Sequence, residues 1–454
     1  MIDEALDSRT RQRARSPKAH RLRMSWWLHP RLVILFLGIP FLVSAYLIPE
    51  STYIALYLSE KYVDLNFLVV GSIIYAGLIA GSFFAISTGV QSQENDVILY
   101  CRWFVWPLFV ATAFGYIVWF AYPLILPGGF AATASALFDI VFRTSPGASD
   151  TLKYYVFQTI PGITTFTQFG ILYATVEALL WVWGNTQKSL ALIRFTVVAS
   201  ATLLRATLLS ERLALIEIVV PVAIVFFGHS RWARTNRLLV SLTPLLGGLA
   251  VFALFAVTEH FRSWTYYQVV YPGSYLQFAA ERLLGYYATA INNAALYYYY
   301  EPIQPLRHSL GSLFSFPGVG EKATASYEVI FGGNAIPHEQ LLEVYANYEF
   351  NNVAMIGLLL NEFSIFLAPL AAFSVGLISL SLYRSFVIGR LVGLLLYPSW
   401  FVGLIEMSRI YYWPNQRYFP TLAFLAISLL IFNSAKVPHK IMALKRRYRQ
   451  RVSN

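Results

Sequence analysis

The sequence predicts an all-α fold: a polytopic membrane helix bundle of about ten transmembrane helices, with both termini cytoplasmic and one large outer loop carrying an amphipathic helix. Three observations predict it. Of 454 residues 57% are hydrophobic and only 13% are charged, roughly half the charged share of a soluble domain. Apolar runs of about 18 residues or more recur along the chain, and that length is what a bilayer demands. Lys and Arg also fall unevenly on the two sides of those runs. Inside lipid the backbone must satisfy its own hydrogen bonds, so the runs are helices. The short alternating segments of a β-barrel are not seen.

The elements follow in order. Residues 1–31 are a basic cytoplasmic tail with Arg9, Arg11, Arg13, Arg15, Lys18, Arg21 and Arg23. Its basic part is long and no small-residue cleavage pattern follows, so it reads as an orientation signal rather than a cleavable leader. Seven spans are expected in an N-terminal bundle over 32–257: 32–48, 66–88, 103–126, 165–184, 190–209, 213–228 and 238–257. Only Ser210, Glu211 and Arg212 separate the fifth from the sixth, which makes a tight hairpin or a re-entrant pair. The large outer loop covers 258–351. Three further spans, 362–383, 391–406 and 418–432, form a C-terminal bundle over 362–432, followed by a basic tail at 433–454.

With the N-terminus inside, 23 of the 34 Lys/Arg lie on the inner side and 11 on the outer. This is the positive-inside asymmetry, with anionic membrane lipid as the partner of the basic segments. The net charge of +11 therefore reports topology, and no nucleic-acid partner is needed to explain it. Cys101 is the sole cysteine, so an internal disulfide and a cysteine metal site are both excluded. No HxxxH, CxxC, P-loop or GxGxxG pattern occurs. No metal or nucleotide cofactor is expected, and an ATP-driven pump is disfavoured.

Chemistry concentrates on the outer side. Tyr266, Tyr267, Tyr271, Tyr275, Tyr286, Tyr287 and the run from Tyr297 to Tyr300 crowd the large loop. Interfacial belts use tyrosine routinely. Clustering in one loop favours a surface for sugars, whose apolar faces stack on rings. From Leu276 to Tyr300 the apolar positions recur at helical spacing, as in an amphipathic helix lying at the interface.

Arg205, Arg212, Arg262, Arg282, Arg307, Arg409 and Arg417 fall at or near the outer face, against the positive-inside trend. A guanidinium fork suits phosphate. The bland alternative is pairing with nearby acids, Arg212 with Glu211 and Arg282 with Glu281. Arg205 and Arg212, beside an almost loopless turn, favour the phosphate reading most. Glu177, Glu217, Glu362 and Glu406 lie inside or at the ends of spans, where ionisable groups are functional candidates. Glu217 could pair with Arg212. Glu406 stands three residues before Arg409, the spacing of a helical salt bridge.

Outer histidines are His260, His308 and His338. A neutral imidazole is the usual base near pH 7. His338 follows Gly332-Gly333-Asn334-Ala335-Ile336-Pro337, a shaped turn, and precedes Glu339.

Three stretches resemble the bacterial oligosaccharide repeat-unit polymerases, the Wzy-like O-antigen and exopolysaccharide polymerases. Leu208-Leu-Ser-Glu-Arg212-Leu-Ala-Leu is similar to a Ser-Arg motif at the outer start of a helix, with Glu211 between the serine and the arginine. Gly285-Tyr-Tyr-Ala-Thr-Ala-Ile-Asn-Asn-Ala-Ala-Leu296 looks like the aromatic helix that opens the large loop. Phe350-Asn-Asn-Val-Ala-Met-Ile-Gly-Leu-Leu-Leu-Asn-Glu-Phe-Ser364 is similar to the re-entry segment, which often reads Asp-Phe-Gly and here reads Glu362-Phe363-Ser364.

The resemblance implies a membrane glycosyltransferase of the bacterial inner membrane. Its substrate would be a lipid-linked oligosaccharide on undecaprenyl diphosphate. The growing glycan would pass to a new repeat unit by single displacement, with no cofactor. A chain-length regulator and a flippase of the same pathway would be partners. Arg205 and Arg212, then Arg282 and Arg409, would hold the diphosphate, Tyr286 and Tyr287 the sugars. His338 would be the base, with Glu339 as its orienter or substitute. An O-antigen ligase shares the donor and the arginine logic. A flippase or secondary transporter would instead need polar residues at mid-span, where Leu, Val, Phe and Ala dominate.

Overall fold

The computed structural model describes residues 25–86, 94–142, 156–160, 162–183, 187–209, 211–264, 267–269, 271–316, 318–332 and 338–452. Among these residues there are helices and no strands. The basic tail before residue 25 lies outside them.

Among the described residues six helices are long and apolar enough to cross a membrane. They are α1 (Pro30–Leu47), α4 (Glu94–Ile125), α6 (Thr164–Val182), α7 (Lys188–Leu208), α9 (Arg237–Glu259) and α13 (Met355–Val387). Four shorter apolar helices accompany them: α3 (Leu65–Gly81), α8 (Leu213–His229), α14 (Leu391–Glu406) and the first part of α15 (Phe419–Val452). This is the pattern of a multi-pass helical membrane protein. The remaining described helices of eight residues or more are α2 (Glu50–Tyr57), α5 (Gly129–Phe142), α10 (Tyr275–Tyr300), α11 (Gly320–Phe331) and α12 (His338–Tyr345).

Local chemistry explains the starts and stops. Asp64 caps α3, its Oδ1 accepting from Phe67 N at 2.8 Å, and so satisfies a donor left over at the helix end. Ser274 does the same for α10 through Gln277 N at 3.3 Å. The fifth and sixth apolar runs form separate helices joined by a very short connection: α7 ends at Leu208 and α8 begins at Leu213.

Small residues set the closest helix contacts, as in membranes, where packing replaces the hydrophobic drive. A Cβ added at Gly81 would stand 1.9 Å from Phe373 O, and one at Gly376 would stand 2.0 Å from Leu78 O. The backbones of α3 and α13 therefore touch. Gly357 likewise seats α13 on Ala294 of α10.

Two features depart from the sequence reading. First, α10 is not a one-sided surface helix. Its residues Ala288 to Tyr297 are buried on every side. Asn292 accepts from Tyr62 N at 2.7 Å and donates to Glu60 O at 2.7 Å. Asn293 donates to the carbonyls of Phe350 and Asn352 at 2.7 and 2.9 Å. Two adjacent asparagines thus tie connecting segments to a helix that the apolar periodicity alone would leave at the interface.

Second, α13 breaks at Ser364, with φ 57 and ψ 172. That backbone region is nearly exclusive to glycine. Residues 302–312 cover the break. Gln304 N donates to Asn361 O at 2.8 Å, Asn361 Nδ2 to Pro302 O at 2.9 Å, and Ser309 Oγ to Glu362 Oε2 at 2.7 Å.

Helix α9 differs from its neighbours. Only 11% of its apolar window is buried. It is held near one end by the Trp27 indole, which donates to Val240 O at 2.8 Å, and at the other by buried Phe255, Ala256, Thr258 and Glu259. An apolar helix exposed on most sides suits a lipid surround.

Candidate functional site

Arg307 lies over the rings of Phe314 and Tyr327, and five other outer arginines of the sequence reading, Arg205, Arg212, Arg282, Arg409 and Arg417, gather in ion-paired groups at one end of the bundle. They arrive from three parts of the chain: the α7–α8 turn, the first half of α10, and the turn between α14 and α15. Each part is held by local structure. Asn415 Oδ1 accepts from Arg417 N at 3.0 Å, an Asx turn that aims Arg417. The same turn is pinned by Trp413, whose ring stacks on Trp400 at 4.7 Å and whose Nε1 donates to Trp400 O at 3.1 Å. Gly403 makes room for it, since a Cβ there would lie 2.4 Å from Trp413 Nε1.

The first group is centred on Glu211. Arg205 Nε donates to Glu211 Oε2 at 2.8 Å, and Arg417 Nη2 donates to the same oxygen at 2.8 Å. Arg205 also reaches Thr167 Oγ1 at 3.3 Å and lies over the Trp119 ring at 4.6 Å. Arg417 Nη1 is 3.6 Å from Glu217 Oε2, and Tyr412 OH donates to Glu217 Oε1 at 3.1 Å.

The second group is centred on Glu259, whose side chain is fully buried. Arg212 Nη2 donates to Glu259 Oε2 at 2.5 Å, and Arg282 Nε to Glu259 Oε1 at 3.2 Å. Arg282 continues to Glu349, which accepts from both terminal nitrogens. Its guanidinium lies over Phe350 at 4.8 Å. Arg409 Nε donates to Glu406 Oε2 at 2.6 Å. Tyr286 joins these groups. Its ring lies 5.8 Å from the Arg212 guanidinium.

By formal charge the network balances. Arg205, Arg212, Arg282, Arg409 and Arg417 face Glu211, Glu217, Glu259, Glu349 and Glu406. Burial opposes the charge of Arg282, and the carboxylates of Glu259 and Glu349 outweigh it, so its pKa lies above the ordinary value. Arg417 is held above its ordinary value in the same way, against burial, by Glu211 and Glu217. Donor capacity remains, because a guanidinium carries five N–H groups. Arg212 Nε and Arg417 Nη1 are buried and have no hydrogen-bond partner among the described residues.

The expected pairings are largely redrawn. Glu211 serves Arg205 and Arg417 rather than Arg212, and Glu217 serves Arg417 rather than Arg212. Glu281 accepts from Tyr271 and Gln277 instead of Arg282. Sequence neighbours on a helix point to different faces, so an i, i+1 pair cannot meet. Only Glu406–Arg409 is the local pair that the spacing predicts. Tyr286 and Tyr287 stand beside the arginines but are half-buried. Tyr287 lies flat on Phe41 at 4.3 Å, and Tyr286 packs edge-on against Phe255 and Phe350. Protein rings thus occupy much of the stacking surface assigned to sugars.

His338 and Glu339 begin α12, and their side chains lie outside the described residues, as does that of Arg262. Of the other outer histidines, His308 lies against α13. Its Nε2 is 3.0 Å from Asn361 Oδ1, and burial pushes its pKa down to about 4. Nearby in sequence, Glu301 is pushed up to about 7 by burial. A further ion pair lies in the bundle: Arg194 Nε and Nη2 donate to the two oxygens of Glu177 at 3.0 and 2.9 Å. The sequence reading picked out Glu177 but not Arg194, since no local spacing joins residues on separate helices.

Comparison with protein-family models, with curated proteins and with solved structures gives no match. Among the described residues no group of three or more His, Cys, Asp or Glu could hold a metal ion.

Proposed function

We propose that this protein is a membrane glycosyltransferase. In this reading it joins lipid-linked oligosaccharide repeat units at the outer face of a bacterial inner membrane, and ten helices cross that membrane with both termini cytoplasmic. The observation that carries the reading is the gathering of Arg205, Arg212, Arg282, Arg409 and Arg417 at one end of the bundle. Arginines on that side run against the positive-inside trend, and joining them there through buried carboxylates requires a reason beyond topology.

In the proposed reaction an acceptor hydroxyl oxygen attacks the anomeric carbon of the lipid-linked glycan. The bond from that carbon to the diphosphate oxygen breaks, and its electron pair stays on the diphosphate. Guanidinium donors stabilise the charge that develops there. Arg212 Nε and Arg417 Nη1, which make no hydrogen bond among the described residues, are the donors nearest to hand. A base takes the hydroxyl proton, the role proposed for His338 with Glu339 beside it. Single displacement inverts the anomeric centre.

A ligase would use the same donor site with a different acceptor. Transport is less well supported. The intramembrane carboxylate Glu177 is held by both oxygens on Arg194, which suits a fixed brace better than a proton relay. The test is complementation of a deletion strain, read as a polysaccharide ladder on a gel. Arg212→Ala and His338→Ala are expected to leave single repeat units. Normal ladders from both variants would defeat the proposal, and loss of core attachment with normal ladder length would favour the ligase.

A further inference from the structure

Tyrosines near the arginines are packed against protein rings, whereas more exposed ones gather where the far end of α10 meets the end of α12. Tyr299, Tyr300 and Tyr345 are 40%, 51% and 42% exposed. Tyr300 and Tyr345 stack at 5.3 Å with 21° between their planes. Tyr62 meets Tyr300 edge-on at 5.9 Å. Three segments remote in sequence therefore build one aromatic patch.

Hydrogen bonds fix its shape. Tyr62 OH donates to Tyr345 O at 2.7 Å. Tyr299 OH donates to Asp64 Oδ1 at 2.6 Å and accepts from Asn66 Nδ2 at 3.3 Å. Glu60, Asp64 and Asn66 are exposed around the rings. Lys61 is turned away, with its Nζ on Tyr46 O at 2.7 Å.

This chemistry differs from that of the arginine network. Carboxylates at the rim repel phosphate and accept hydrogen bonds from hydroxyls. Exposed, oriented rings offer faces to the C–H side of a pyranose. A plain interfacial belt explains amphipathic rings at that depth, but not rings cross-linked to one another and bordered by acids.

We infer that Tyr62, Tyr300 and Tyr345, with Glu60, Asp64 and Asn66, form a second saccharide site for a neutral, hydroxyl-rich glycan. Its purpose, steadying the acceptor or the growing chain, rests on the proposed transfer reaction; its ligand class rests on the patch alone. Helix α10 separates Arg282 from Tyr299 by about 25 Å at 1.5 Å per residue, so a glycan bound at both ends spans several sugar units.

Full-length protein in lipid nanodiscs, passed over an array of immobilised bacterial surface oligosaccharides, tests the site. Wild-type protein should be retained by neutral glycans. Tyr300→Ala and Tyr345→Ala should each weaken retention about threefold to tenfold, as expected for loss of one stacked ring. Tyr300→Trp keeps a ring and should keep binding. Arg212→Ala should keep glycan retention while losing polymer in cells. If Arg212→Ala cells make normal ladders and retention still depends on Tyr300, the arginine assignment fails and this site stands. No neutral glycan captured by wild-type protein, equal capture by Tyr300→Ala, or loss of capture by Tyr300→Trp as well would each overturn the inference.

Discussion

Replacing Glu259 by Gln keeps its shape and removes its charge. In the native protein this fully buried carboxylate neutralises Arg212 and Arg282 together. Removing one partner of a buried ion pair costs about 3–5 kcal/mol. Two features reduce that figure. Glu349 still pairs with Arg282, so the uncompensated charge falls mainly on Arg212. The Arg212 side chain is 14% exposed, and the Gln carbonyl can still accept one charged hydrogen bond, worth about 1.5–3 kcal/mol. The expected loss is therefore about 1–2 kcal/mol. Denaturant unfolding in mixed micelles, followed by tryptophan fluorescence, measures it. Arg212→Met in the Glu259→Gln background should recover part of the loss, a coupling of about 1 kcal/mol. A Glu259→Gln protein within about 0.5 kcal/mol of wild type, or a double variant with purely additive losses, would refute the charge-balance argument.

Ser364→Gly should stabilise the protein by about 1 kcal/mol, since relief of left-handed strain of about 1–3 kcal/mol exceeds glycine's entropy cost; the same unfolding assay checks it. Gly376→Ala should destabilise by about 2 kcal/mol or more, because its new Cβ would meet Leu78 O at 2.0 Å and overpacked cores respond on this scale. His308 and Glu301 act oppositely with pH. The folded-state pKa of His308 is about 4 against an ordinary 6.5, so its contribution is lost as pH falls from 6.5 to 4. Glu301, at about 7 against 4.5, contributes stability as pH falls from 7 to 4.5. Each effect is roughly 3 kcal/mol at full extent, and they nearly cancel. Glu301→Gln should make the protein acid-labile below about pH 6.5, and His308→Asn should make it more stable on mild acidification, both read as unfolding midpoints against pH.

The helices were legible in the sequence because apolar length is a local property. Each apolar run overlaps a helix among the described residues, six of them long enough to cross a membrane, and α14 matches its predicted bounds of 391–406. Burial of α10 was not legible. Asn292 and Asn293 read as polar interruptions, and nothing local says that they hold the backbones at 60–62 and 350–352. Gathering of the arginines was anticipated from their side of the bundle, but their partners were not. Glu259 lies 47 residues from Arg212, and Glu349 lies 67 from Arg282. Only the pair three residues apart could be read from spacing. The break in α13 was hidden as well, since serine carries no signal for a positive φ.

A balanced network constrains how an anion could enter it. Five guanidinium groups with no acids among them would repel one another in a low-dielectric site, and the apo protein would have to support that charge without substrate. Carboxylates remove the repulsion and fix the guanidinium planes, which is the preorganisation that transition-state stabilisation needs. Their cost is competition with the incoming phosphate. On the proposed reading, binding is therefore expected to be weak in the ground state and strongest as the leaving diphosphate gains charge, because only then does phosphate oxygen outbid carboxylate. Glu211 is the carboxylate to examine, since its Oε2 accepts from both Arg205 and Arg417. Glu211→Gln should tighten binding of undecaprenyl diphosphate, measured with the purified protein in nanodiscs, while slowing turnover through product retention. Weaker binding of the diphosphate by Glu211→Gln would mean that the carboxylates help to build the anion site rather than compete for it, and the arginines would then act as structural braces.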